Sequence, residues 1–208
     1  MRIHRFIIGI ILLWVAALTG CATSQADQMS VQGISQTKQV QLPSPETSCE
    51  LRLELPPVIR NTATDQAIIR ITNVGSAPVT LVKPGDGSDC RWRTPVIGWS
   101  VLPVDSLEQH PKEPPRRGGA RCGNINRLEA DEIFVLQPGE EQVLKDWIAF
   151  PYRTPPGIYR VVFYYSNVPE MKWSGLPLGN HDEEAMQRLR SSTPLSLVSN
   201  EVQVEITD

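Results

Sequence analysis

Histidine is scarce in this 208-residue sequence; His4, His110 and His181 stand far apart, and no Cys-x-x-Cys occurs. Zinc sites need clustered thiolates or imidazoles, so no metal or other cofactor is expected. No complete nucleophile motif is present either. Gly98-Trp99-Ser100-Val101-Leu102 begins like a nucleophile elbow but lacks its closing glycine, and Trp173-Ser174-Gly175 lacks the opening one. No pair of carboxylates stands out for glycosidic chemistry, and no internal repeat is visible. A basic excess is also missing: Lys+Arg number 20 against 23 Asp+Glu. That balance argues against nucleic acid as a partner, which calls for a basic face. The sequence reads as non-enzymatic.

What the chain does have begins at its N-terminus. Arg2 and Arg5 precede an almost wholly apolar run, Phe6 to Leu18, which ends in Leu18-Thr19-Gly20-Cys21. A charged start and a short apolar core make a secretory signal rather than a membrane span. An ordinary secretory signal with a chance cysteine, or an uncleaved anchor, would share those features. The final four residues resemble the lipobox of bacterial lipoproteins. The resemblance implies cleavage after Gly20, leaving Cys21 as a new N-terminus that carries a diacylglyceryl thioether and an acyl chain. It also implies attachment to a membrane through acylated Cys21. Ala22 in the next position favours the outer membrane, facing the periplasm. Losing the leader's two arginines takes the formal charge from −3 to −5.

The expected organisation is a signal peptide over 1–20, a flexible tether over 21–48 and one domain over 49–208. The tether is rich in Ser, Thr, Gln, Ala and Pro and lacks the apolar periodicity to offset its ordering entropy. The 18 prolines and 14 glycines suit a β-protein with many turns. Leu51, Leu53 and Leu55 alternate with Glu50, Arg52 and Glu54, a half-buried strand ended by Pro56-Pro57. Ala67–Thr72 and Val79–Lys83 flank Asn73-Val74-Gly75-Ser76-Ala77-Pro78 and read as a hairpin. Val96–Leu102 is another strand, with Ile97, Trp99 and Val101 on one face. A Pro-rich charged loop over 103–121 follows. Strands resume at Glu132–Leu136, turn at Gln137–Glu140 and return through Gln142–Phe150. Ile158–Ser166 is the most β-prone stretch, with Tyr159, Val161, Phe163 and Tyr165 on one side. Residues 167–199 read as an insertion holding a short helix capped by Asn180, with Ala185, Met186 and Leu189 inward. Asn200–Ile206 closes the chain as a strand.

About eight strands and one minor helix indicate an all-β, two-sheet antiparallel sandwich. Leu136-Gln137-Pro138-Gly139-Glu140, Pro155-Pro156-Gly157-Ile158-Tyr159-Arg160-Val161 and Ser199-Asn200-Glu201-Val202 resemble the immunoglobulin-like modules of secreted bacterial proteins. That resemblance implies an immunoglobulin-like sandwich in which Tyr159 is the corner tyrosine. Val161 stands where antibody domains have a cysteine, so their intersheet disulfide is missing.

With Cys21 acylated, Cys49, Cys90 and Cys122 remain, an odd number for an oxidising compartment. A Cys90–Cys122 bridge would clip the base of loop 103–121, worth about 3–4 kcal/mol in the chain-entropy model. Pairings that use Cys49 stay open, and the thiol left over is expected to be inert. Asp86, Ser88 and Asp89 could offer oxygens to calcium, but a solvated turn accounts for them. Lys112, Arg116, Arg117 and Arg121 could meet an anionic headgroup, although Glu108 and Glu113 dilute the patch. The least ordinary cluster is Trp92, Arg93, Trp99, Arg121, Asn124 and Asn126, which could grip a peptide or glycan if the Cys90–Cys122 bridge draws it together. A core role for the tryptophans is the competing reading. Trp147 and Trp173 are assigned to packing, and His181 to the surface.

These features point to a noncatalytic binding or structural module on the bacterial cell envelope, meeting another envelope protein through loops on a rigid scaffold. Two alternatives remain. One is a proteinase inhibitor that inserts loop 103–121 with Arg116 or Arg117 leading. The other is an envelope hydrolase.

Overall fold

Alternating burial of Leu51 and Leu53 against exposed Glu50 and Arg52 sets the first strand, β1 (Cys49–Glu54). In this computed structural model residues 47–60, 67–115, 123–145, 147–151 and 154–208 are described. The leader, Cys21 and nearly all of the expected tether lie outside them, as do Arg116, Arg117, Arg121 and Cys122. Among the described residues no helix is long and apolar enough to cross a membrane.

The strands that follow are β2 (Val58–Arg60), β3 (Ile68–Asn73), β4 (Val79–Val82), β5 (Val96–Pro103), β6 (Asn124–Ile125), β7 (Ile133–Leu136), β8 (Glu141–Leu144), β9 (Gly157–Asn167), β10 (Leu176–Pro177), β11 (Leu195–Val198) and β12 (Val202–Thr207). One helix, α1 (Glu183–Arg190), lies between β10 and β11. The first sheet has the order β1-β3-β8. In the second, β9 is central: β5 pairs with it along one side, β11 and β12 along the other, and β2 lies outside β12. The chain changes sheets at Pro56-Pro57, where the Glu205 N–H donates to the Pro57 carbonyl at 2.9 Å. Prolines suit that crossing because neither has an N–H to leave unpaired.

Between the sheets lies one core. Leu51, Leu53, Ile69, Ile71 and Leu144 face Ile97, Val161, Phe163, Tyr165, Val204 and Ile206. Each such side chain contributes about 1.5–3 kcal/mol on burial. The expected inward face of Tyr159, Val161, Phe163 and Tyr165 is observed. Tyr165 is fully buried; its hydroxyl donates to the Val82 carbonyl at 2.6 Å and accepts the Val82 N–H at 3.2 Å. Burial pushes its pKa well above the ordinary phenol value. The architecture is therefore an all-β, immunoglobulin-like sandwich with one short helix, antiparallel within its two sheets except where β2 runs parallel to β12.

The corner tyrosine is present. Tyr159 donates its hydroxyl to the Pro155 carbonyl at 2.8 Å, four residues upstream. Tyr159→Phe is expected to lower stability by about 1 kcal/mol, a shift of roughly 2–4 °C in a thermal melt.

Several expectations about connections are corrected. Residues 68–82 are not a hairpin: β3 pairs with β1 and β8, whereas β4 pairs with β7. The turn expected at 137–140 is present, with the Glu140 N–H on the Gln137 carbonyl at 2.9 Å, but β7 and β8 do not pair with each other: β7 pairs with β4 and β8 with β3. Asn73 and Glu140 bridge the two ladders, with the Asn73 N–H on the Glu140 carbonyl at 3.0 Å. The strand expected through Phe150 stops at Leu144. The expected insertion over 167–199 contains a sheet strand, since β11 pairs with β9 and leans Leu195 and Leu197 on the core. The helix is capped by Asp182, not Asn180; one carboxylate oxygen takes the N–H groups of Glu184 and Ala185 at 2.8 and 3.2 Å. A charged acceptor suits the positive end of the helix better than an amide. Ala185 and Leu189 face inward as expected, into a second small core with Val82, Leu128 and Ile133.

Candidate binding surface

Of the cluster expected around Trp92, Arg93, Trp99, Arg121, Asn124 and Asn126, the described members differ in burial and in what they contact. Arg93 is wholly buried. Its Nη2 donates to Glu132 Oε1 at 3.0 Å, its Nε to the Thr94 carbonyl at 3.3 Å, and its guanidinium lies 4.6 Å from the Trp173 ring centre. Burial pulls its pKa below the ordinary arginine value, against the opposing pull of Glu132. Trp92 is half-buried, and its carbonyl takes the Ser174 N–H at 2.8 Å. Trp99 packs edge-on against Phe150 and Phe163, with ring centres at 5.1 and 4.8 Å. Asn124 and Asn126 are exposed. Arg121 lies outside the described residues, and so does the Cys122 half of the expected bridge. Cys49 is half-buried, and desolvation pushes its thiol up to about 11, which leaves it protonated near neutrality.

The Asp86–Asp89 loop is a buried turn rather than a solvated one at Ser88, whose hydroxyl accepts the Gly85 N–H at 3.0 Å. Among the described residues no group of three or more His, Cys, Asp or Glu side chains could hold a metal.

His181 is half-buried, not a surface group. Its Nδ1 accepts the Leu128 N–H at 3.0 Å, and its ring meets Trp173 edge-on at 4.6 Å. Burial, with Arg93 adding to it, holds its pKa below the ordinary imidazole value. The unfolded chain therefore takes up a proton at a higher pH than the folded chain does. Stability from this contact is present above the ordinary histidine range and is lost as pH falls from there through the folded pKa. Urea melts from pH 7 downward are expected to show that loss, and His181→Gln is expected to flatten it.

Residues 103–115, the described part of the long loop, do not project. They run back across the outer face of the second sheet. Arg160 Nη2 donates to the carbonyls of Ser106 and Glu108 at 3.1 and 2.9 Å, and the Tyr164 hydroxyl donates to the Pro111 carbonyl at 2.6 Å. Gly98 admits the crossing, because a Cβ there would stand 3.0 Å from the Pro114 ring. Beneath the strap, His110 Nδ1 and Ser100 Oγ are 2.8 Å apart. His110 Nε2 lies 3.1 Å from Glu201 Oε2, although the pair is not aligned as a hydrogen bond. No sequence motif marks this Ser–His–Glu chain, since its members are distant along the chain. Ser100 is 5% exposed and lines none of the described cavities. The arrangement latches the strap to the sheet.

Trp147 overturns its assignment to packing. It is 51% exposed and holds a backbone φ of 60°, a left-handed conformation that is costly for a bulky side chain. Two cavities share it as a wall. One, about 230 Å³, is lined by Asp89, Ile97, Gly98, Trp99, Pro115, Ala149 and Pro151. The other, about 380 Å³, is lined by Asn126, Arg127, Glu129, Glu132 and Leu178. Trp99 and Asn126, two members of the expected cluster, thus reach the same surface from opposite sides of Trp147. Exposed tryptophan beside concave surface is a common binding anchor.

No protein-family model matches this chain, and no curated protein matches it. Among solved structures it is similar to the ASH/PapD-like domain of human CEP192 (PapD-like domain 7), at 16% identity over 88% of this chain and 97% of that chain, with a TM-score of 0.28. The sandwich is established by its own strand pairing.

Proposed function

We propose that the chain is a noncatalytic binding module, held by an acylated Cys21 on a bacterial envelope membrane and meeting an envelope protein through the surface around Trp147. The observation that carries the reading is that exposed indole between an apolar and a polar cavity, on a rigid two-sheet body. The anchor rests on Leu18-Thr19-Gly20-Cys21. Ala22 supports the outer membrane, facing the periplasm. Hydrolysis is the weaker reading, because Ser100 is roofed by the strap and offers no surface to a substrate. Inhibition by an inserted loop is weakened by the hydrogen bonds that hold 103–115 down.

A photo-crosslinking amino acid at position 147 of the full acylated chain, in its own membrane, tests the surface. Position 107 serves as control, since Leu107 is fully exposed on the strap. Adducts from 147 but not 107 are expected; none from 147 would remove this surface from the reading. Mass spectrometry of the processed protein tests the anchor, and a bare Cys21 would remove it.

A further inference from the structure

We infer that the Trp147 surface takes an extended peptide, added as a strand along the outer edge of β5 with one apolar side chain seated in the cavity beside Trp147. The inference rests on the binding-module reading and names the partner for the same surface.

The edge follows from register. β5 and β9 pair antiparallel from Val96↔Ser166 to Pro103↔Tyr159, and the Val104 N–H donates to the Ile158 carbonyl at 3.0 Å. That bond fixes the even-numbered residues of β5 as those whose N–H and C=O turn toward β9. The odd-numbered residues turn away. Ile97 confirms the phase, because its N–H goes outward to the Ser88 carbonyl at 3.2 Å. Beyond Ile97, the outward N–H groups of Trp99 and Val101 find no backbone partner among the described residues.

Natural edge strands are blunted by charge, bulges or short length. This one is eight residues long, its sequence is Val-Ile-Gly-Trp-Ser-Val-Leu-Pro, and only Pro103 at its end interrupts the donors. Such an edge suits strand addition, in which main-chain hydrogen bonds supply affinity and a pocket selects the side chain.

The pocket stands beside that edge. At about 230 Å³ it falls below the roughly 300–1,000 Å³ of sites that enclose a small ligand. It fits a side chain of a larger partner. Its walls are mainly apolar, Ile97, Gly98, Trp99, Pro115, Trp147, Ala149 and Pro151 with Asp89 among them, so an aliphatic or proline guest matches most of the lining.

The test pans a phage-displayed random heptapeptide library on the full acylated chain in lipid nanodiscs, then measures synthetic versions of the selected peptides by fluorescence polarisation. Selected peptides are expected to share an aliphatic or proline position, and Trp147→Ala to weaken them about tenfold or more. Val101→Pro removes an outward N–H and no bond to β9, so it is expected to weaken binding similarly while the fold persists. Should that variant not fold, backbone N-methylation along the peptide decides, with losses expected at alternate positions. Binding unchanged by Val101→Pro in a folded chain, or by every N-methylation, would overturn strand addition. So would failure to select any peptide above the Trp147→Ala chain. Crosslinks from position 147 would survive each of those failures, which separates this inference from the reading beneath it.

Discussion

Arg93→Ala is expected to cost about 3–5 kcal/mol of folding stability, the usual cost of removing one partner from a buried ion pair. At roughly 2–4 °C per kcal/mol for a chain of this size, the thermal midpoint should fall by about 6–20 °C. The cost has two sources. Glu132, which the guanidinium meets at 3.0 Å, would keep a largely desolvated charge with no partner. Trp173 would also lose the cation stacked 4.6 Å from its ring centre. Glu132→Gln should destabilise as well, because it strands the positive charge. The double variant Arg93→Met with Glu132→Gln should cost less than the two single changes together, since neither charge is left behind. Gly85 belongs to the same arrangement. A Cβ there would stand 2.5 Å from Arg93 Nη1, so Gly85→Ala should also lower the midpoint. Chemical and thermal melts of all four variants decide. An unchanged midpoint for Arg93→Ala would return Arg93 to the exposed binding role that the sequence suggests.

That role looked plausible because the sequence shows faces and not neighbours. Strand existence was legible wherever burial alternates with a period of two. Leu51 and Leu53, Tyr159 to Tyr165, and Val202 to Ile206 all fall on the faces their spacing predicts. Two motif-level readings also acquired a mechanism. Tyr159 makes its corner bond, and Ser199-Asn200 proves to be a join between sheets. The Asn200 amide accepts the Leu53 N–H at 2.8 Å and donates to the Leu53 carbonyl at 3.0 Å, while the Ser199 hydroxyl accepts the Phe163 N–H at 2.9 Å. Pairing partners were not legible, because a strand's own pattern fixes its faces and leaves its neighbour open. Short parallel pairs such as β6 with β10 carry no pattern at all. Arg93 escaped because an arginine reads as surface until its carboxylate is found thirty-nine positions away. Trp147 escaped for the opposite reason: tryptophan reads as core, and only the backbone at φ 60° turns it outward. The candidate surface combines residues from several separate segments, and no local window contains them.

Asn73→Ala carries the second large effect, expected at about 2–4 kcal/mol from buried polar groups left without partners. Asn73 is fully buried. Its Nδ2 donates to the carbonyls of Ala77 at 2.9 Å and Leu136 at 3.0 Å, while its Oδ1 accepts the Gly75 N–H at 2.9 Å. The side chain therefore holds its own loop and ties it to β7 at Leu136. This explains why Asn73-Val74-Gly75 reads as a hairpin without being one. An asparagine that bonds the backbone two residues on is a turn signal, and it is one here, but the strand after the turn, β4, pairs with β7 rather than with β3. The Leu136 bond is the part that sequence cannot show. Asn73→Asp separates the two roles. It keeps the acceptor for Gly75 and replaces a double donor with a carboxylate that faces two carbonyl oxygens. Near neutral pH, Asn73→Asp should therefore be more destabilising than Asn73→Ala, whereas a simple turn residue would tolerate the aspartate better. Urea melts at pH 7 give that order directly. Repeating them near pH 4 should narrow the gap, because a protonated carboxyl group at position 73 can donate to one of the two carbonyls again. If the aspartate proves the milder change at pH 7, the bond to Leu136 is not what makes Asn73 stabilising.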